Sequence, residues 1–137
     1  MESNLKVLIV DDNRDGQLLL FHYLRSLRII PDIVGDGIGA IIACQQRKYD
    51  LVLMDLGLPM MDGWKTIKEL RKRGYERSIV VVSAFREFDE RFSADISDVE
   101  EYLQKPVSLD VIRGAVSRVV RTHPRNRPTA EIAARSF

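Results

Sequence analysis

Apolar positions in this chain fall into two alternating patterns. Short runs rich in Val, Ile and Leu are bounded by Gly, Pro, Asp or Ser. Between them lie longer segments whose apolar residues recur three and four positions apart. The first pattern reads as strands buried on both faces, the second as amphipathic helices. Leu5-Lys6-Val7-Leu8-Ile9-Val10 is the first strand and ends on Asp11-Asp12. Leu18, Phe21, Leu24 and Leu27 predict a helix from Arg14 to about Leu27. A short strand around Asp32-Ile33-Val34 is closed by Gly35-Asp36-Gly37, and Ile38, Ile41 and Ile42 give the next helix its stripe. Leu51-Val52-Leu53-Met54 is a third strand. It ends on Asp55 and is followed by Leu56-Gly57-Leu58-Pro59, which cannot readily continue it.

Asp62-Gly63 then marks a turn, Trp64, Ile67 and Leu70 line a third helix, and Gly74 is placed to stop it. Ser78-Ile79-Val80-Val81-Val82-Ser83 is the most β-branched stretch. Phe85, Phe88, Phe92 and Ile96 predict a fourth helix, Glu101-Tyr102-Leu103-Gln104 a fifth strand closed by Lys105-Pro106, and Ile112, Ala115, Val116 and Val119 a last helix. Five strand–helix units in alternation argue for an α/β fold with a parallel sheet covered on both faces and right-handed crossovers. The pattern stops near Arg121. The expected organisation is one domain over residues 1–121 and a basic, Pro-containing tail over 122–137. A flexible tail is the first reading of that segment. A short helix packed on a neighbour and the stump of a linker are the alternatives.

Composition narrows the function classes. A length of 137 residues suits one domain with a real core. The formal net charge of +1 argues neither for nucleic acid nor for an acidic partner on bulk electrostatics. The arginines of the tail are too few for more than weak, salt-sensitive contacts. A single cysteine, Cys44, rules out a disulfide within the chain and reads as a small core residue. No apolar run approaches the roughly 20 residues of a membrane span, and the N-terminus lacks the features of a signal peptide. These features set the expectation of a cytoplasmic protein.

In an open parallel sheet, ligands bind beyond the carboxyl ends of the strands. This sequence places Asp11 and Asp12 at the end of the first strand, Asp55 at the third, Ser83 at the fourth and Lys105 at the fifth. Each alone reads as a cap or a turn residue; their coincidence on one edge does not. Like carboxylates about 4 Å apart repel by on the order of 4 kcal/mol at an effective dielectric of about 20, so they protonate or recruit a cation. An all-oxygen donor set without His or Cys favours a hard ion such as Mg²⁺ over zinc. With a divalent cation and Lys105 present, the edge becomes neutral and receptive to a phosphoryl group. Asp55 is then the candidate nucleophile, and Ser83 and Lys105 are candidates to bind the phosphoryl oxygens.

On Val7-Leu8-Ile9-Val10-Asp11-Asp12-Asn13, the stretch from Met54 to Gly63, Ser83-Ala84 and Tyr102-Leu103-Gln104-Lys105-Pro106, the chain resembles the receiver domains of two-component response regulators over about residues 5 to 120. The resemblance implies a flavodoxin-like fold with five parallel strands in the order 2-1-3-4-5. It implies that Asp55 accepts a phosphoryl group from a sensor histidine kinase or a histidine phosphotransfer protein. By the same resemblance Asp12 is a direct Mg²⁺ ligand, Asp11 a carboxylate acting through water, and Gly57 a source of a metal-binding backbone carbonyl. Ser83 matches the switch hydroxyl, Tyr102 the aromatic switch, and Lys105 the phosphate-pairing lysine, set by a cis bond to Pro106. Three departures stand out: Gly57 has no side chain at a position that influences access of hydrolytic water, Asp98 stands where many receivers have Gly, and the predicted fourth helix is charged between its aromatics.

The reading is a phosphorylation-controlled switch acting as a single domain. It would be read by an unidentified downstream protein through the fourth helix, fifth strand and last helix, and it would promote only its own phosphoryl transfer and dephosphorylation. The alternative is a phosphorylation-independent receiver-fold interaction module, which the complete acidic set with Ser83 and Lys105 argues against. A haloacid-dehalogenase-type phosphatase needs a second Asp two residues after its nucleophile on the first strand, and Asp11-Asp12-Asn13 does not supply it.

Overall fold

The computed structural model describes residues 3–84 and 96–122. Every residue of β1 (Val7–Val10), β3 (Leu51–Met54) and β4 (Ser78–Ser83) is buried, as their continuous apolar runs require of central strands. β2 (Asp32–Val34) and β5 (Glu101–Gln104) are shorter or more polar and form the edges. All neighbouring pairs are parallel, in the order β2-β1-β3-β4-β5, so the expected sheet is the one observed.

The period of two along each strand divides the core. Leu8, Val10, Val52, Met54, Ile79 and Val81 meet α2 (Gly37–Gln46) and α3 (Gly63–Lys72) on one face. Val7, Ile9, Leu51, Leu53, Val80 and Val82 meet α1 (Arg14–Ser26) and the last described helix, α4 (Leu109–Thr122), on the other. Side chains of Asn13, Asp36 and Asp62 cap α1, α2 and α3 by accepting backbone N–H bonds from Gly16, Gly39 and Lys65. Beyond α3, Gly74 takes a φ of +95°, the left-handed stop its sequence position promised.

Two helix stripes differ from expectation. On α1, Leu20 and Leu24 are buried, whereas Leu18 is 41% exposed. The run Leu18-Leu19-Leu20-Phe21 offers several helical registers, so spacing alone does not choose among them. On α2, Ala40 and Ile41 are buried, while Ile38 and Ile42 are about half exposed. That helix has no charged residue to mark its outer face. Its packing is chosen instead by Gly37, where a Cβ would come within 2.2 Å of the Thr66 hydroxyl on α3. The predicted fourth helix falls mainly on residues 85–95, outside the described residues. The last position of its stripe, Ile96, opens a short 3₁₀ turn, Ile96–Asp98. The 122–137 tail is also outside them apart from Thr122, the last residue of α4.

Candidate functional site

The sheet register brings the acidic strand ends level. Val10 pairs with Met54, and the ladder continues one residue further: Asp11 N donates to Val34 O at 3.1 Å and Asp55 N to Val10 O at 2.9 Å. Strand alternation turns Asp11 and Asp55 toward the α1 and α4 side, in line with Ile9 and Leu53. Lys105 follows Leu103 onto the same side, and its backbone N donates to Ser83 O at 2.8 Å.

The result is a compact charge cluster. Carboxylate oxygens of Asp11, Asp12 and Asp55 lie within 4.8 Å of one another. Asp11 is 1% exposed and Asp55 9%, while Asp12 is open to solvent. Lys105 Nζ bridges the two buried members, at 2.8 Å from Asp11 Oδ2 and 3.3 Å from Asp55 Oδ2. The other oxygen of each is tied to backbone: Asn13 N donates to Asp11 Oδ1 at 2.9 Å, and Gly57 N to Asp55 Oδ1 at 3.1 Å. Each carboxylate is therefore fixed by one amide and one ammonium. Burial alone works against the Lys105 charge, but the bond to Asp11 and the field of Asp55 outweigh it and hold its pKa above the ordinary value.

One cation against three carboxylates leaves the cluster net negative. Its donors are all oxygens, and no His or Cys belongs to the group among the described residues. This donor set fits a hard divalent ion of the Mg²⁺ kind. Asp55 is also reachable, because a cavity of about 530 Å³ walled by Asn13, Gly16, Leu19, Lys105 and Pro106 opens beside it.

Ser83 and Tyr102 lie on the opposite face of the sheet. Register and alternation place both with Val81, on the α2 and α3 face. Ser83 is fully buried, and Tyr102 is half-buried against that core. The Lys105–Pro106 peptide bond is cis, as the resemblance implied. Gly57 is exposed in the loop after β3. That loop turns back sharply: Gly63 N donates to Leu56 O at 2.9 Å, and a Cβ on Gly63 would come within 2.3 Å of the Asp55 carbonyl oxygen. Only glycine lets α3 start this close to the strand end.

Two residues at the site were not singled out by sequence. Gln17 Nε2 donates to Asp11 O at 2.6 Å, and Gly16 lies directly against the Asp11 carboxylate. A glycine inside a helical pattern was the available signal for the second. Elsewhere, Cys44 is half-buried against the core and burial pushes its thiol up to about 11, which suits a structural cysteine.

A family model for the response regulator receiver domain matches residues 7–117, and the chain belongs to that family. Receiver domains are the phosphorylation-controlled signalling switches of two-component systems. The chain is 32% identical over 109 residues to two-component response regulator 24 of Arabidopsis thaliana, covering 79% of this chain and 78% of that protein. It is 28% identical over 129 residues to the transcriptional regulatory protein HprR of Escherichia coli, covering 94% of this chain and 57% of that protein. The chain thus spans little more than half of that regulator's length. The receiver domain of the sensor histidine kinase PA1611 from Pseudomonas aeruginosa PAO1, solved with a magnesium ion in its active-site cleft, superposes with a TM-score of 0.76. It shares 28% identity and covers 85% of this chain and 97% of that one. Among the described residues no helix is long and apolar enough to cross a membrane.

Proposed function

We propose that this chain accepts a phosphoryl group on Asp55 in a Mg²⁺-dependent reaction and thereby switches its affinity for a partner. The observation that carries the reading is the Asp11–Asp12–Asp55 cluster with Lys105 bridging its two buried members. Asp11, Asp12, Asp55 and the Gly57 carbonyl are the groups assigned to the ion, Asp11 through water. Bound Mg²⁺ supplies the positive charge that lets an anionic phosphoryl group approach a carboxylate.

The chain's own residues do the rest. Asp55 Oδ attacks phosphorus as the bond from phosphorus to the donor nitrogen breaks, which leaves an acyl phosphate on Asp55. Lys105, already within reach of Asp55, exchanges a carboxylate contact for a phosphoryl oxygen. Ser83 offers its hydroxyl to the same group, and Tyr102, on the Ser83 side of the sheet, carries the change toward the β5 edge. The cis bond at Pro106 orients Lys105. The chain acts on no other substrate; it promotes its own phosphorylation and dephosphorylation. The donor is a sensor histidine kinase or histidine phosphotransfer protein, the setting is the cytoplasm, and the reader is a downstream protein that binds one state better than the other.

The test uses acetyl phosphate as donor and intact-mass analysis as readout. A single phosphoryl adduct is expected with Mg²⁺ and none with excess chelator. An adduct that forms equally well in chelator would overturn the proposal.

A further inference from the structure

Gly16 is the third residue of α1, where its N–H is taken by the capping Asn13 side chain at 3.0 Å. Nothing about the helix requires glycine there, and alanine is the better helix former. The reason for it lies across the site. A Cβ on Gly16 would stand 2.5 Å from Asp11 Oδ2 and 3.2 Å from its Cγ. Asp11 Oδ2 is the oxygen that receives Lys105 Nζ at 2.8 Å, and the Asp11 side chain is 1% exposed.

We infer that Gly16 is a positioning residue: its missing side chain lets the Asp11 carboxylate lie flat against α1, where it shares Lys105 with Asp55. The inference rests on the proposed Mg²⁺-dependent reading of the cluster. The nearest atoms to a Cβ at position 16 all belong to the Asp11 carboxylate, not to backbone. The carboxylate, not the fold, would give way. Rotation that carries Oδ2 away from the Cβ would take it from Lys105, and Lys105 would be left to Asp55 alone. The ion would then meet a displaced Asp11 and an Asp55 more tightly held by an ammonium.

The experiment is a cycle of four proteins: wild type, Gly16→Ala, Asp11→Ala and the double variant. Mg²⁺ affinity is read by calorimetry without phosphodonor. Gly16→Ala in the wild-type background is expected to weaken Mg²⁺ binding about tenfold, as for loss of a supporting contact behind a metal ligand. In the Asp11→Ala background the same change should have no effect, since the group it displaces is gone. Equal weakening in both backgrounds, or none in the first, overturns the inference. Metal-free urea unfolding of the same proteins separates this from failure of the functional reading. With Asp11→Ala, Gly16→Ala should raise the midpoint by helix propensity; with Asp11 present it should not. A wild type that binds no Mg²⁺ contradicts the proposed function, while the unfolding cycle still decides whether Gly16 acts through Asp11.

Discussion

Lys105 is the residue on which the resting site balances. Its ammonium faces two buried carboxylates that repel each other, and removing it leaves both without their shared cation. Lys105→Met should cost about 3 kcal/mol in metal-free urea unfolding at pH 7, the scale for breaking a buried pair. The pH dependence follows from the raised pKa. The stabilisation is fully present below the unfolded lysine value of 10.5 and is lost as pH rises through the higher folded value. The gap between wild type and Lys105→Met should therefore stay constant from neutral pH up to about 10.5 and narrow from there as pH rises through the folded value. A gap that closes below pH 9 would contradict the pairing. At this scale much of the site was legible in the sequence. Asp11 and Asp55 each follow an apolar strand run and Lys105 a short, more polar one, and strands of one parallel sheet bring such ends to one edge. The Gly16–Asp11 contact was not legible, because alternation gives the side of the sheet that Asp11 faces but not how closely α1 approaches its carboxylate.

Among the elements, helix α3 is anchored at both ends by different means. At its start Gly63 permits close approach to the Asp55 backbone. At its end the Arg71 guanidinium donates to the carbonyls of Asp98, Tyr75 and Arg77 and pairs with Glu100, whose carboxylate also accepts from Ile79 N. One side chain thus ties α3 to the entry of β4 and the turn before β5. Arg71→Ala should lose about 3 kcal/mol by denaturant unfolding, and Arg71→Lys should recover less than half, since a point charge cannot serve so many fixed acceptors. This role was invisible in the sequence, where Arg71 lies among three basic residues ending a helix. Helix α2 shows the opposite limit. Its residues are nearly all apolar, so periodicity named Ile38 and Ile42 as core, and the Gly37–Thr66 contact decided otherwise. Ile41→Ala should cost about 2–4 kcal/mol. Ile38→Gln should stay within about 0.5 kcal/mol. Similar losses at both positions would contradict the observed packing.

Across the whole molecule, a five-stranded sheet with a core on each face carries its unbalanced charge at one edge. The fold class was readable from alternating patterns alone, but the strand order was not, since several right-handed arrangements share that pattern. The order 2-1-3-4-5 came from the resemblance and is the one observed. The net negative cluster couples ion binding to folding. Saturating Mg²⁺, at about 100 times its dissociation constant, should stabilise the wild type by about 2.7 kcal/mol. Asp12→Ala should lose most of that gain in the same urea titration.

The acidic cluster, Lys105 and the proposed ion all serve one oxygen of Asp55. Wild type and Asp55→Asn, treated side by side with acetyl phosphate and Mg²⁺ and weighed intact, test it most directly. One phosphoryl adduct is expected on the wild type and none on Asp55→Asn. Equal labelling of the two proteins would contradict it.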